Sequence, residues 1–178
     1  MQHPSNIKIW QPIVTLIVIV LLIIWLLNVF NTGNWLWFLP YQPTYQPSRI
    51  IIHNYGKTET LQPGTPGYAE LTDAMNEAFA AGFNSTALVN IGLSDETLRR
   101  YNEEELVVEA HYPVDVRFNT PVRMKNVRSL IVPIDATHSG NRYLFMGSNG
   151  LWLAGALVMS DDTPIMETMV ELGYLQEE

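Results

Sequence analysis

The sequence predicts an α+β protein: a single N-terminal transmembrane helix followed by a compact extracytoplasmic domain with an antiparallel sheet and two to three helices. Three observations predict it. Residues 13–30, IVTLIVIVLLIIWLLNVF, are almost wholly apolar. Short β-branched runs separated by turn residues fill much of the remaining chain. Two stretches, Tyr68 to Phe79 and Ile165 to Leu172, repeat apolar residues at helical spacing.

At a rise of ~1.5 Å per residue, residues 13–30 reach ~27 Å, about the thickness of the hydrocarbon layer. A core helix of a soluble protein rarely lacks a polar face over that length. Pro12 suits the first helical turn, where its missing N–H costs nothing. Trp35, Trp37 and Tyr41 beyond the span, and Trp10 before it, are expected as membrane-interface anchors, because such rings favour head-group depth. Asn28, strongly polar within the span, is expected near the outer interface.

No small-x-small cleavage pattern follows the run, so an uncleaved signal anchor is expected. The weak positive-inside signal, Lys8 against Arg49 and Lys57, puts the N-terminus inside and the C-terminal domain outside the cytoplasm. The expected organisation is a short cytoplasmic tail (1–11), the transmembrane helix with its aromatic flank (12–39), a Pro-rich linker (40–48) and the extracytoplasmic domain (49–178). Pro40, Pro43 and Pro47 make the linker a semi-rigid spacer of about 20 Å.

The charges narrow the function classes. No charged residue lies between Ile9 and Ser48, and all eighteen acidic residues lie beyond, against nine of the ten basic ones. Such a domain repels nucleic acid at long range, so no nucleic-acid partner is expected. The absence of cysteine removes thiol nucleophiles, thiolate metal sites, disulfides and lipoprotein acylation.

Within the domain, Arg49 to Tyr55 reads as a strand that turns at Gly56-Lys57 into a second, Thr58 to Leu61. Thr65 is expected to cap a helix with Pro66 at its first position, and Gly82 to end it. Thr86 to Ile91 reads as a strand, and Ser94-Asp95-Glu96 as the start of a short helix reaching about Asn102. Glu105 to Tyr112 alternates loosely. Val114 to Phe118 and Val122 to Met124 read as short extended pieces, and Ser129 to Asp135 as a strand whose Pro133 argues for an edge or a bulge. Arg142 to Met146 and Leu151 to Met159 flank Asn149-Gly150, the strongest hairpin signal in the chain. A last helix starts near Thr163-Pro164 and stops at Gly173.

No assembled catalytic motif is present, and no catalytic, metal or cofactor residue is expected. His138-Ser139-Gly140 and Gly147-Ser148-Asn149-Gly150 lack the nucleophile-elbow pattern. Asp161-Asp162 reads as support for a helix N-terminus, and Glu103-Glu104-Glu105 as a solvated turn. Arg117, Arg123, Lys125 and Arg128, with Arg142 shortly after, form a basic segment suited to a partner protein or an anion. The functional expectation is a membrane-anchored, non-catalytic interaction module, an accessory or regulatory subunit partnered in the membrane or envelope and held in the lipid bilayer by residues 13–30. The rival reading is an extracytoplasmic hydrolase or small-ligand-binding protein whose site is assembled from distant residues such as His53, His111 and Asp135.

Overall fold

The computed structural model describes residues 10–32, 35, 39, 44–122, 124 and 126–176. The chain divides into two compact units, Met1–Leu39 and Pro40–Glu178.

The first unit contains α1, Trp10–Thr32. Over Trp10–Phe30 its mean hydropathy is 3.1 and none of it is buried, so it is a candidate membrane span by length and composition. The few polar groups are satisfied locally: Thr15 Oγ1 donates to the Gln11 carbonyl at 2.9 Å and Asn28 Nδ2 to the Ile24 carbonyl at 2.9 Å. The Trp35 ring meets Trp25 edge-on at 5.2 Å, and Trp25 Nε1 donates to the Trp35 carbonyl. Trp10 is exposed. Trp37 and Tyr41 lie outside the described residues.

The second unit is a six-stranded antiparallel sheet with three helices, an α+β fold. Its elements are β1 (Arg49–Asn54), β2 (Lys57–Leu61), α2 (Tyr68–Ala81), α3 (Asp95–Glu103), β3 (Leu106–His111), β4 (Val127–Asp135), β5 (Tyr143–Ser148), β6 (Leu151–Val158) and α4 (Thr163–Glu171). The strand order is β2-β1-β3-β4-β5-β6. Both hairpins turn on two residues with positive φ, Tyr55-Gly56 (46° and 84°) and Asn149-Gly150 (52° and 80°). That geometry matches the right-handed twist of the flanking strands.

Alternation along the strands creates two buried faces. Ile50, Ile52, Leu106, Val108, Ala110, Leu130, Val132, Leu144 and Met146 pack with Leu71, Met75, Ala78 and Phe79 of α2 and Ile165 and Met169 of α4. On the other face Val107, Ile131, Phe145 and Ala156 meet Tyr101 of α3, with Ile91, Leu93 and Leu98. Helices therefore cover both faces of the sheet, although the second covering is shorter.

Several sequence expectations change. The helix at Thr65-Pro66 begins later, at Tyr68, because Gly67 takes a left-handed conformation at its start. The Thr65 hydroxyl instead accepts from the Gln62 N–H at 3.1 Å, closing the turn before the helix. Residues 86–91 do not form a strand; only Val89 bridges to Ala156. Nearby side chains replace strand pairing there: Ser85 Oγ accepts from Val158 N, and Ser160 Oγ donates to Asn84 Oδ1. Val114 to Phe118, Val122 and Met124 lie outside any strand, between β3 and β4. Pro133 sits in β4, well inside the sheet, opposite a register shift between Leu106 and Val107 and beyond the last β4–β5 pair, Ile131 with Phe145. Pairing with β5 has ended at Ile131, so the missing donor costs no ladder bond on that side.

The second half of the linker is docked on the domain. Tyr45 N donates to Asn76 Oδ1 at 3.2 Å, Asn76 Nδ2 to Tyr45 O at 3.0 Å, and Ser48 N to His111 O at 2.7 Å. α4 ends as the sequence expects: Gly173 (φ 80°) donates to Val170 O and Tyr174 N to Met169 O, the paired bonds of a glycine-terminated helix. Asp161 Oδ1 accepts from Thr163 N at its other end.

The sheet edges differ in kind. β2 shows Lys57, Thr58, Glu59 and Thr60 to solvent. The outer backbone of β6 exchanges both bonds with Val89 at Ala156, at 2.9 and 3.1 Å, and is met at Val158 by Asn84 and Ser85.

Phe79 is fully buried between α2 and the sheet and meets Phe118 edge-on at 5.4 Å. Phe79→Ala should cost about 3–5 kcal/mol of stability. A chemical-denaturation midpoint of the full-length variant that stays at the wild-type value would contradict this packing.

Candidate functional site

The covering of the second face ends before the sheet does. At that end, the register places Arg49, His111, Ser129, Gly147 and Trp152 in one row across β1, β3, β4, β5 and β6. Glu109 lies two residues from His111 on β3, on the same face. His53, on β1, reaches Glu109 diagonally.

These side chains form a continuous chain of contacts. Ser129 Oγ lies 3.1 Å from His111 Nδ1. His111 Nε2 lies 2.9 Å from Glu109 Oε1. Glu109 Oε2 lies 3.4 Å from His53 Nε2. The side chains are mostly sheltered, with 23% of His111, 17% of Glu109 and 12% of His53 exposed. The carboxylate accepts, so each histidine donates its Nε2–H to it. His111 Nδ1 is then a lone pair, and the Ser129 hydroxyl donates to it. His53 Nδ1 is buried with no hydrogen-bond partner.

Burial favours a neutral His111. It pushes the His111 pKa down from its ordinary value and outweighs the opposing pull of the Glu109 carboxylate, and the Arg49 cation adds a lesser downward push. An uncharged imidazole between a carboxylate and a hydroxyl can take a proton from the hydroxyl. Gly147 opens the row beside Ser129: a Cβ there would come within 3.0 Å of both Ser129 Cβ and the Trp152 ring.

Of the residues expected from the sequence, His53 and His111 are brought together, through Glu109. Asp135 does not join them; its carboxylate accepts from the Tyr55 hydroxyl. Sequence reasoning missed Glu109 and Ser129. Their signal was the period-two spacing Glu109-x-His111, but Ser129 required the β3–β4 register. Among the described residues, no group of three or more His, Asp or Glu side chains could hold a metal ion.

The basic segment is dispersed. Arg128 Nε donates to Asp115 Oδ1 at 2.8 Å, and Arg142 Nη1 donates to the Ser160 carbonyl at 2.6 Å. They stand at opposite ends of the β4–β5 pair. Arg117 lies between β3 and β4, and its N–H donates to the Tyr45 hydroxyl at 3.1 Å. Arg123 and Lys125 lie outside the described residues.

His138 serves a second, structural cluster. Its Nδ1 meets the Tyr101 hydroxyl at 2.5 Å, and its ring packs on Tyr143 and Phe145. Neighbouring Ser139 Oγ donates to Ala136 O at 2.8 Å, as turn chemistry dictates. Buried Glu105 accepts from Thr137 N and Oγ1 and pairs with Arg100. A cleft of about 1240 Å³ lies between the end of β4 and α4, lined by Tyr55, Asp135, Ser139, Glu167 and Tyr174 among others.

No protein-family model matches the chain, and no curated protein or solved structure matches it.

Burial lowers the pKa of both His111 and His138 from 6.5. Below that value the unfolded chain binds protons that the folded domain excludes, so stability is complete above it and is lost as pH falls. The melting temperature should therefore rise between about pH 5 and 7 and level off above. His111→Gln with His138→Gln should flatten the rise; an unchanged slope would refute the assignment.

Proposed function

We propose that the protein is a membrane-anchored interaction module, an accessory or regulatory subunit of a membrane or envelope assembly. The observation that carries this reading is the unburied apolar surface of α1. Twenty-one residues of mean hydropathy 3.1 with no part buried need a lipid or protein environment. The folded domain, in contrast, covers one face of its sheet and part of the other with its own residues. In this reading α1 is an uncleaved anchor with its N-terminus inside, and the domain stands outside the cytoplasm.

The surface best suited to a partner is the irregular chain between β3 and β4, described at residues 112–122, 124 and 126. Long irregular loops on a rigid scaffold commonly carry binding residues. This one presents an exposed Val114, 56% accessible, in a segment that carries Arg117, Arg123 and Lys125. Apolar and cationic groups together suit an acidic protein surface.

Two measurements test the reading. Intact mass of the membrane-extracted protein should show the whole N-terminal segment, and a product starting beyond residue 32 would replace the anchor with a signal sequence. Crosslinking in the native membrane should give a defined adduct that Arg117→Glu with Arg123→Glu reduces at least about tenfold, the loss of ~1.4 kcal/mol of binding. An adduct of unchanged yield would remove the loop from the interface.

A further inference from the structure

We propose that Ser129 is a base-activated nucleophile, with His111 as its general base, capable of acyl transfer from small esters. The proposal is independent of the anchored-module reading, since it concerns only side chains on one face of the sheet.

Three adjacent strands assemble the required roles. β4 supplies the hydroxyl, and β3 places His111 directly opposite in the register. Ser129 Oγ to His111 Nδ1 is 3.1 Å, within hydrogen-bond reach of a proton acceptor. Glu109 accepts from the other imidazole nitrogen at 2.9 Å, which fixes the tautomer and stabilises the imidazolium once it forms. His53, from β1, holds the second carboxylate oxygen at 3.4 Å. His53 and Glu109 are thus positioning residues. Arg49 is the strand partner of His111, and its charge already acts on that ring. It is the cation of the row, one strand beyond His111 from Ser129.

The step follows from these positions. As Ser129 Oγ adds to the ester carbonyl carbon, its proton passes to His111 Nδ1, and the negative charge forms on the carbonyl oxygen. Collapse of the tetrahedral adduct breaks the ester C–O bond, and His111 returns the proton to the departing alkoxide as an alcohol. The acyl group remains on Ser129. Water then repeats the sequence, releasing a carboxylic acid and restoring the hydroxyl. Trp152, whose ring lies over Gly147 next to Ser129, offers a flat apolar wall for the acyl chain. The substrate class is therefore an ester with an apolar acyl group.

An alkyl fluorophosphonate tests the nucleophile directly, since serine attack at phosphorus expels fluoride and leaves a stable adduct. The full-length protein in mild detergent should label on the peptide containing Ser129. Ser139, tied to its own turn, provides an internal comparison on the same chain. Ser129→Ala should abolish the label, and His111→Asn should slow it at least ~100-fold while retaining a folded melt. The wild-type rate should climb to a plateau with a midpoint below pH 6.5, the ordinary histidine value, and His111→Asn should remove that profile. Absence of label at Ser129, equal labelling of Ser139, or equal rates in the wild type and His111→Asn would each overturn the proposal.

Discussion

The domain depends on a central strand that is apolar on both sides. β3 presents Leu106, Val108 and Ala110 to one face and Val107 to the other, all fully buried. Desolvating such a strand requires two coverings. α2 and α4 provide one. α3, nine residues long, provides the other together with the segment that carries Ile91 and Leu93. The unequal length of these coverings explains where polar chemistry appears. Beyond the reach of α3, the same face that carries Val107 continues into Glu109 and His111, and its neighbour Ile131 gives way to Ser129.

Polar side chains in such a half-sheltered position must satisfy one another, because water reaches them only in part. Glu109 solves this by accepting from two histidines at once. The arrangement is local in sequence only at Glu109 and His111. Its other members come from 56 residues before Glu109 and 18 after His111. A compact domain can bring them together without a recognisable motif because an antiparallel sheet converts register into proximity.

That distinction also separates what could be read from the sequence. Elements with a local physical cause were legible: the oily run of α1, the Asn149-Gly150 hairpin, the Ser94-led start of α3 and the glycine that stops α4. Pro133 argued for an edge or a bulge; β4 is an interior strand, and a register shift lies opposite Pro133. Thr65 misled, because its hydroxyl can close a turn as readily as it can cap a helix, and the neighbouring Gly67 decides between them. The apolar run at 86–91 misled because Asn84 and Ser85 compete for the backbone of β6. The pairing of His53 with His111 was foreseen as a geometric possibility. The third member was not, since choosing Glu109 over Asp135 needs the strand order β1-β3-β4, which no local pattern carries.

The two outer strands bear on how copies of this domain behave when crowded. An open sheet edge is a template for adding another chain's strand. Here one border is charged and threonine-rich, and the far half of the other already has its backbone groups engaged by residues 84, 85 and 89. Neighbouring copies held at high density therefore have little incentive to zip into a continuous ribbon. Any ordered assembly they form has to be read through side-chain surfaces, which leaves its geometry open to adjustment by single substitutions.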